Sequence, residues 1–60
     1  MEKIDYSQLN NLLVEINKKN IPSNLILNLL NIKSLAELNV RQYNYLLFLI
    51  KREEIMEVLG

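Results

Sequence analysis

Three carboxylates crowd the last stretch of the chain, KREEIMEVLG: Glu53, Glu54 and Glu57. Acids grouped in this way can do general acid–base work or hold a divalent cation. Lys51 and Arg52 stand directly before them, so the group reads instead as a solvated, self-neutralising face. Nucleophilic chemistry needs a hydroxyl or thiol beside a base. The hydroxyls are Ser7, Ser23, Ser34 and the tyrosines Tyr6, Tyr43 and Tyr45, and the chain has neither cysteine nor histidine. That composition excludes disulfides and thiolate metal sites, and it removes the commonest metal ligand and the commonest general base. The single glycine is Gly60, which leaves no glycine-rich phosphate loop. The sequence therefore predicts no catalytic residue, no metal ligand and no cofactor. It reads as a protein that is not an enzyme.

What remains is recognition. The basic side chains available to meet phosphate are Lys18, Lys19, Lys33, Arg41, Lys51 and Arg52, but seven basic residues face seven acidic ones and the formal net charge is zero. A nucleic-acid binder usually carries a basic field, and so does a protein drawn to anionic membranes. A helix-turn-helix can be drawn through the second helix and the short segment Ser34–Leu38. Its second member, SLAEL, offers base edges one serine and one glutamate, where several polar side chains are needed. A small DNA-binding helical domain is thus the alternative reading, and nucleic acid the disfavoured partner. The longest unbroken apolar run, Tyr45 to Ile50, falls far short of the roughly 20 residues that span a bilayer. The opening MEKIDYSQ lacks an apolar signal segment, and the expected setting is cytoplasmic, without a membrane.

The elements that must position these side chains are helices. The chain has thirteen leucines and seven isoleucines but one glycine, one proline and no threonine, a poor supply for β-turns. Asp5 with Gln8 forms a capping-box pattern, Ile4 and Leu9 flank it as a staple, and Tyr6, Leu9, Leu12, Leu13 and Ile16 follow at helical spacing. Asn20 suits a left-handed C-terminal position, and Pro22 stops the helix. A second helix runs from Pro22 or Ser23 to about Asn31. It is interrupted only by Asn24, Asn28 and Asn31, and apolarity on nearly all sides predicts a buried, central helix. Ser34 with Glu37 reads as a second capping box and opens a single turn. Asn39 with Gln42, flanked by Leu38 and Tyr43, opens the last helix from Val40. Residues 1–60 thus predict one all-α domain, a small three-helix bundle with a one-turn helical connector before the last helix.

The last helix has two apolar faces. At 100° per residue, Val40, Tyr43, Leu46, Leu47 and Ile50 share one sector, long enough to close a bundle. The opposite sector carries Tyr45, Phe48, Leu49, Ile55, Met56 and Leu59, with Arg41 and Arg52 among them. A continuous helix would expose this second stripe, and aromatic, methionine and arginine side chains are enriched at interfaces. Tyr45, Phe48, Arg52, Ile55, Met56 and Leu59 are therefore the expected partner-binding residues. Three arrangements account for the stripe. The helix breaks near Arg52 or Glu53 and folds Ile55, Val58 and Leu59 inward; or the stripe pairs with a second copy; or it grips another protein.

Two likenesses bear on the partner. The helix NLILNLLNI and the corner SLAELNVRQYNYLLFLIKR resemble the small helical tail module of phage single-strand-annealing recombination proteins. The carriers are Ser34, Leu35, Glu37, Leu38, Gln42, Leu46, Leu47 and Ile50. LLVEINKKNIPSNLILNLLNIKS, Leu12 to Ser34, is similar to the helical hairpin of the Sin family of anti-repressors. Both resemblances imply docking to a protein, and they transfer no catalytic residue. They suggest a small accessory or inhibitor protein of a bacterium or mobile element, acting on itself (a homo-oligomer) or on another protein, one of DNA metabolism among the candidates.

Overall fold

Asp5 opens the first helix, α1 (Tyr6–Lys18). Its carboxylate accepts the Gln8 backbone N–H at 2.8 Å, and the Gln8 side-chain oxygen accepts the Asp5 N–H at 2.9 Å. Asn39 and Gln42 make the same exchange at 2.8 and 3.0 Å, and this opens α3 (Val40–Lys51). Each box satisfies backbone donors that a helix start would otherwise leave without partners. Between these helices lie α2 (Ser23–Leu30) and a 3₁₀ turn at Leu35–Glu37, and a five-residue helix, α4 (Ile55–Leu59), follows α3. The computed structural model describes residues 2–60. It is all-α, with three main helices, the one-turn connector before α3, and α4 as an addition to the architecture read from the sequence.

The Ser34 cap differs in detail from the expected box. Ser34 Oγ accepts the Ala36 N–H at 3.2 Å, while the Glu37 carboxylate accepts the N–H of Lys33, one residue earlier than the cap, at 3.0 Å. A single 3₁₀ turn is wound more tightly than an α-helix, so the third residue no longer sits over the cap nitrogen. The chain's beginning is tied to the corner that follows. Ile4 donates to the Leu38 carbonyl and Val40 to the Glu2 carbonyl, both at 3.0 Å.

Helices α1, α2 and α3 end in one motif. A residue in the left-handed region turns the chain: Asn20 (φ 55°), Asn31 (φ 54°) and Glu53 (φ 58°). Its N–H and that of the next residue then bond back to the last turn: Asn20 to Asn17 and Ile21 to Ile16, Asn31 to Asn28 and Ile32 to Leu27, Glu53 to Ile50 and Glu54 to Leu49. This is the Schellman arrangement, which favours glycine or asparagine at the turning residue and an apolar residue next. The first two corners obey both preferences, with Asn-Ile each time. The third carries Glu-Glu. A side chain such as glutamate costs roughly 1–2 kcal/mol in the left-handed region, so packing elsewhere must hold this corner in place.

That packing centres on α3, which lies against α1, while α4 returns onto both α2 and α3. The core joins Leu12 and Ile16 of α1, Ile21, Ile26 of α2, Leu35, Leu38, Ile55 of α4, and Tyr43, Leu46, Leu49 and Ile50 of α3. Tyr43 keeps its hydroxyl satisfied by accepting from Asn11 Nδ2 at 3.0 Å. Three expectations need correction. The second helix is not central: only Ile26 is fully buried and Leu29 is exposed, because two turns of helix present too little length to be wrapped on every side. Tyr6 and Leu13 stand outside the core although they share the helical spacing of Leu9 and Leu12. On α3 the buried arc is rotated toward Leu49, which is buried, and away from Leu47, which is only half-buried. No helix of the described residues is long and apolar enough to cross a membrane.

Candidate interaction surface

The buried arc of α3 leaves the opposite side of that helix uncovered. Arg41, Tyr45, Phe48 and Arg52 follow one another there at intervals of four, three and four residues, which keeps them within about 60° of arc. All four are exposed, Tyr45 at 47% and Phe48 at 53%. Intervals of this kind make the seam along which one helix lies beside another. The core closes without it, since Tyr43, Leu46, Leu49 and Ile50 already fill the inward side.

Arg52 is fixed at the far end of this row. Its guanidinium carbon lies 5.3 Å from the Phe48 ring centroid, and its Nε donates to Glu54 Oε1 at 2.8 Å. The positive charge over the ring face contributes on the order of 0.5–1 kcal/mol at an exposed site. The main consequence is geometric: aromatic and guanidinium planes are presented together, with less freedom left to lose on contact.

The six residues expected to bind a partner do not form one stripe. Tyr45, Phe48 and Arg52 share the outer face of α3, but the helix ends at Lys51 and the chain turns at Glu53. Ile55 is thereby carried inside, 4% exposed, where it is part of the core. Leu59 is half-buried against the same cluster. Met56 remains exposed, on α4, at a groove also lined by Lys19, Ile21, Ile50, Glu53 and Ile55. The inward fold of Ile55 and Leu59 follows the first of the three arrangements read from the sequence, whereas Val58 stays 39% exposed. Periodicity at 100° per residue could not reveal the turn, because Glu53 and Glu54 are ordinary helix residues. Arg41 belongs to the row on equal terms with Arg52, and the intervals 41–45–48–52 were the signal for it. Leu13 and Val14 of α1 are also exposed, with Tyr6 two turns before Leu13 and Lys18 one turn after Val14; that face has no arginine seated over an aromatic ring as Arg52 is over Phe48.

Neither a family model, nor a curated protein, nor a solved structure matches this chain. The surface must therefore be judged on its own chemistry.

Its electrostatics are divided. From Val40 to Arg52 there are three cations, Arg41, Lys51 and Arg52, and no acid; Glu53, Glu54 and Glu57 follow at once. Glu53 meets Lys19 at 3.6 Å, and Glu15 meets Lys18 at 3.9 Å. Exposed pairs of this sort add little stability. Among the described residues, no group of three His, Cys, Asp or Glu side chains is placed to hold a metal ion. The arrangement offers apolar and cationic contact along one helix.

Proposed function

We propose that this chain is a non-enzymatic protein–protein interaction module that receives a helix of another protein, or of a second copy, along the outer face of α3. One observation carries the reading: Tyr45 and Phe48 stand about half exposed between two arginines, on a helix whose inward side already completes the core. A few anchors, enriched in aromatic side chains and arginine, supply most of the binding energy of an interface. An amphipathic helix laid alongside would read the row as anchors one turn apart. The likenesses to phage recombination tails and to anti-repressor hairpins support docking as the kind of work, with a protein of DNA metabolism as a candidate partner.

The test is a selection of helical peptides from a display library on the immobilised protein. The selected peptides should bind the wild type and the control Leu13→Asp, and should lose at least tenfold in affinity on Tyr45→Asp. Equal binding to all three proteins would remove the outer face of α3 from the account. The rival reading has Arg41, Lys51 and Arg52 contacting DNA phosphates, and it predicts an affinity that falls steeply with salt. No DNA binding at about 50 mM salt, where phosphate contacts are strongest, dismisses it.

A further inference from the structure

The corner between α3 and α4 opposes its own sequence. At Asn20 and Asn31 the turning residue tolerates a positive φ, the next is isoleucine, and Pro22 or Ser34 follows shortly to prevent the helix from continuing. From Lys51 to Leu59 the chain reads KREEIMEVL, with no glycine, proline, asparagine, aspartate or serine. Its glutamates, lysine, arginine, methionine and leucine are all strong helix formers. Glu53 nevertheless sits at φ 58°, and its side chain meets only the exposed Lys19. Glu54 occupies the position where the other two corners place an apolar residue. Local preference favours one unbroken helix from Val40 to Leu59, and the bend persists because Ile55 and Leu59 are seated in the core. A conflict between local and global preference narrows the free-energy gap to a competing conformation.

In the unbroken form Ile55 and Leu59 continue the row Arg41–Tyr45–Phe48–Arg52 at intervals of three and four. They would then point outward, and the site beside Ile21 and Ile50 would stand empty. A second copy in the same form supplies both what is missing and what is exposed. We propose that the Arg52–Glu54 corner is a hinge through which two copies exchange α4, each Ile55 entering the site that the other has vacated. Every contact of α4 is kept in such a dimer and the unfavourable φ at Glu53 is relieved in both chains, which is the low-cost route to pairing by exchange. This inference is independent of the outer-face reading, since it rests on the corner and on the Ile55 site.

Two variants set the hinge in opposite directions, and light scattering over a concentration series, after long equilibration, reads the result. Glu53→Gly removes the penalty of the bend and should weaken the dimer relative to wild type. Glu53→Ile places a β-branched side chain where φ is positive, a conformation it scarcely adopts, and should tighten the dimer at least tenfold over Glu53→Gly. A second measurement keeps the natural hinge and settles the matter if Glu53→Ile does not fold. Lys19 and Met56 line one groove, so Lys19→Cys and Met56→Cys proteins are mixed under mild oxidation. Exchange yields the mixed 19–56 disulfide well above its statistical share. Equal dimerisation of the two Glu53 variants, or the three possible disulfides in random proportion, overturns the proposal.

Discussion

Leu46→Ala is expected to lose about 3 kcal/mol of unfolding free energy, the middle of the range for leucine truncations in a packed core. Leu46 has no exposed surface and lies on α3, the helix against which α1 packs. The lost contribution has two parts: the transfer of three carbon atoms out of water, and the cavity their removal leaves. The cavity would open inside a cluster that also holds Leu12, Tyr43, Leu49 and Ile50, on helices whose ends are fixed by caps and corners, so little collapse is available. A domain of this size holds only roughly 3–9 kcal/mol in all. The substitution should therefore lower Tm by about 12–24 °C, at 4–8 °C per kcal/mol for small domains. Thermal melting followed by circular dichroism measures it, and a fall of under about 3 °C would mean that the core is not organised around α3.

Ile55→Asp tests a different unit. Ile55 is the only fully buried residue of α4, and a carboxylate in its place would have to lose its hydration against Ile21 and Ile50. The chain has a cheaper escape: α4 follows all other helices and can leave the core alone. The expected result is local. The amides of Glu57 and Val58, which bond to the Glu54 carbonyl at 3.1 and 3.3 Å, should exchange at least a hundredfold faster. Amides in the middle of α1 and α3 should slow-exchange nearly as in the wild type, because none of their own bonds passes through α4. Opening in parts of this kind is ordinary for a short element held by few buried side chains. Hydrogen exchange followed by NMR separates this outcome from a global loss, in which every amide would accelerate together and α4 would prove to be integral to the bundle.

The starts of α1 and α3 were legible because capping is local chemistry. Asp5–Gln8 and Asn39–Gln42 each need only the right side chains three residues apart, and both boxes are present. Asn20 was legible as the end of α1 for the same reason. The turn at Glu53 was legible only as one of three arrangements, since nothing within that segment asks for it; burial of Ile55 by residues distant in sequence imposes it. The outer face of α3 was half legible. The spacing of Tyr45, Phe48 and Arg52 gave the row, but its extension to Ile55 and Leu59 assumed a helix that tertiary packing bends away. The exposed side of α2 was misread on similar grounds, because hydrophobicity all round a helix indicates burial only when enough neighbours exist to cover it.

The central claim is that the fold makes no use of the outer face of α3, and the unfolding free energy of Phe48→Glu tests it most directly. With Phe48 half exposed, the variant should match wild-type stability within about 1 kcal/mol in a urea titration, the loss being the contact with Arg52 and the modest area its ring covers. A loss of roughly 3 kcal/mol or more would place the ring among core side chains, and the surface proposed for a partner would then belong to the protein's own interior.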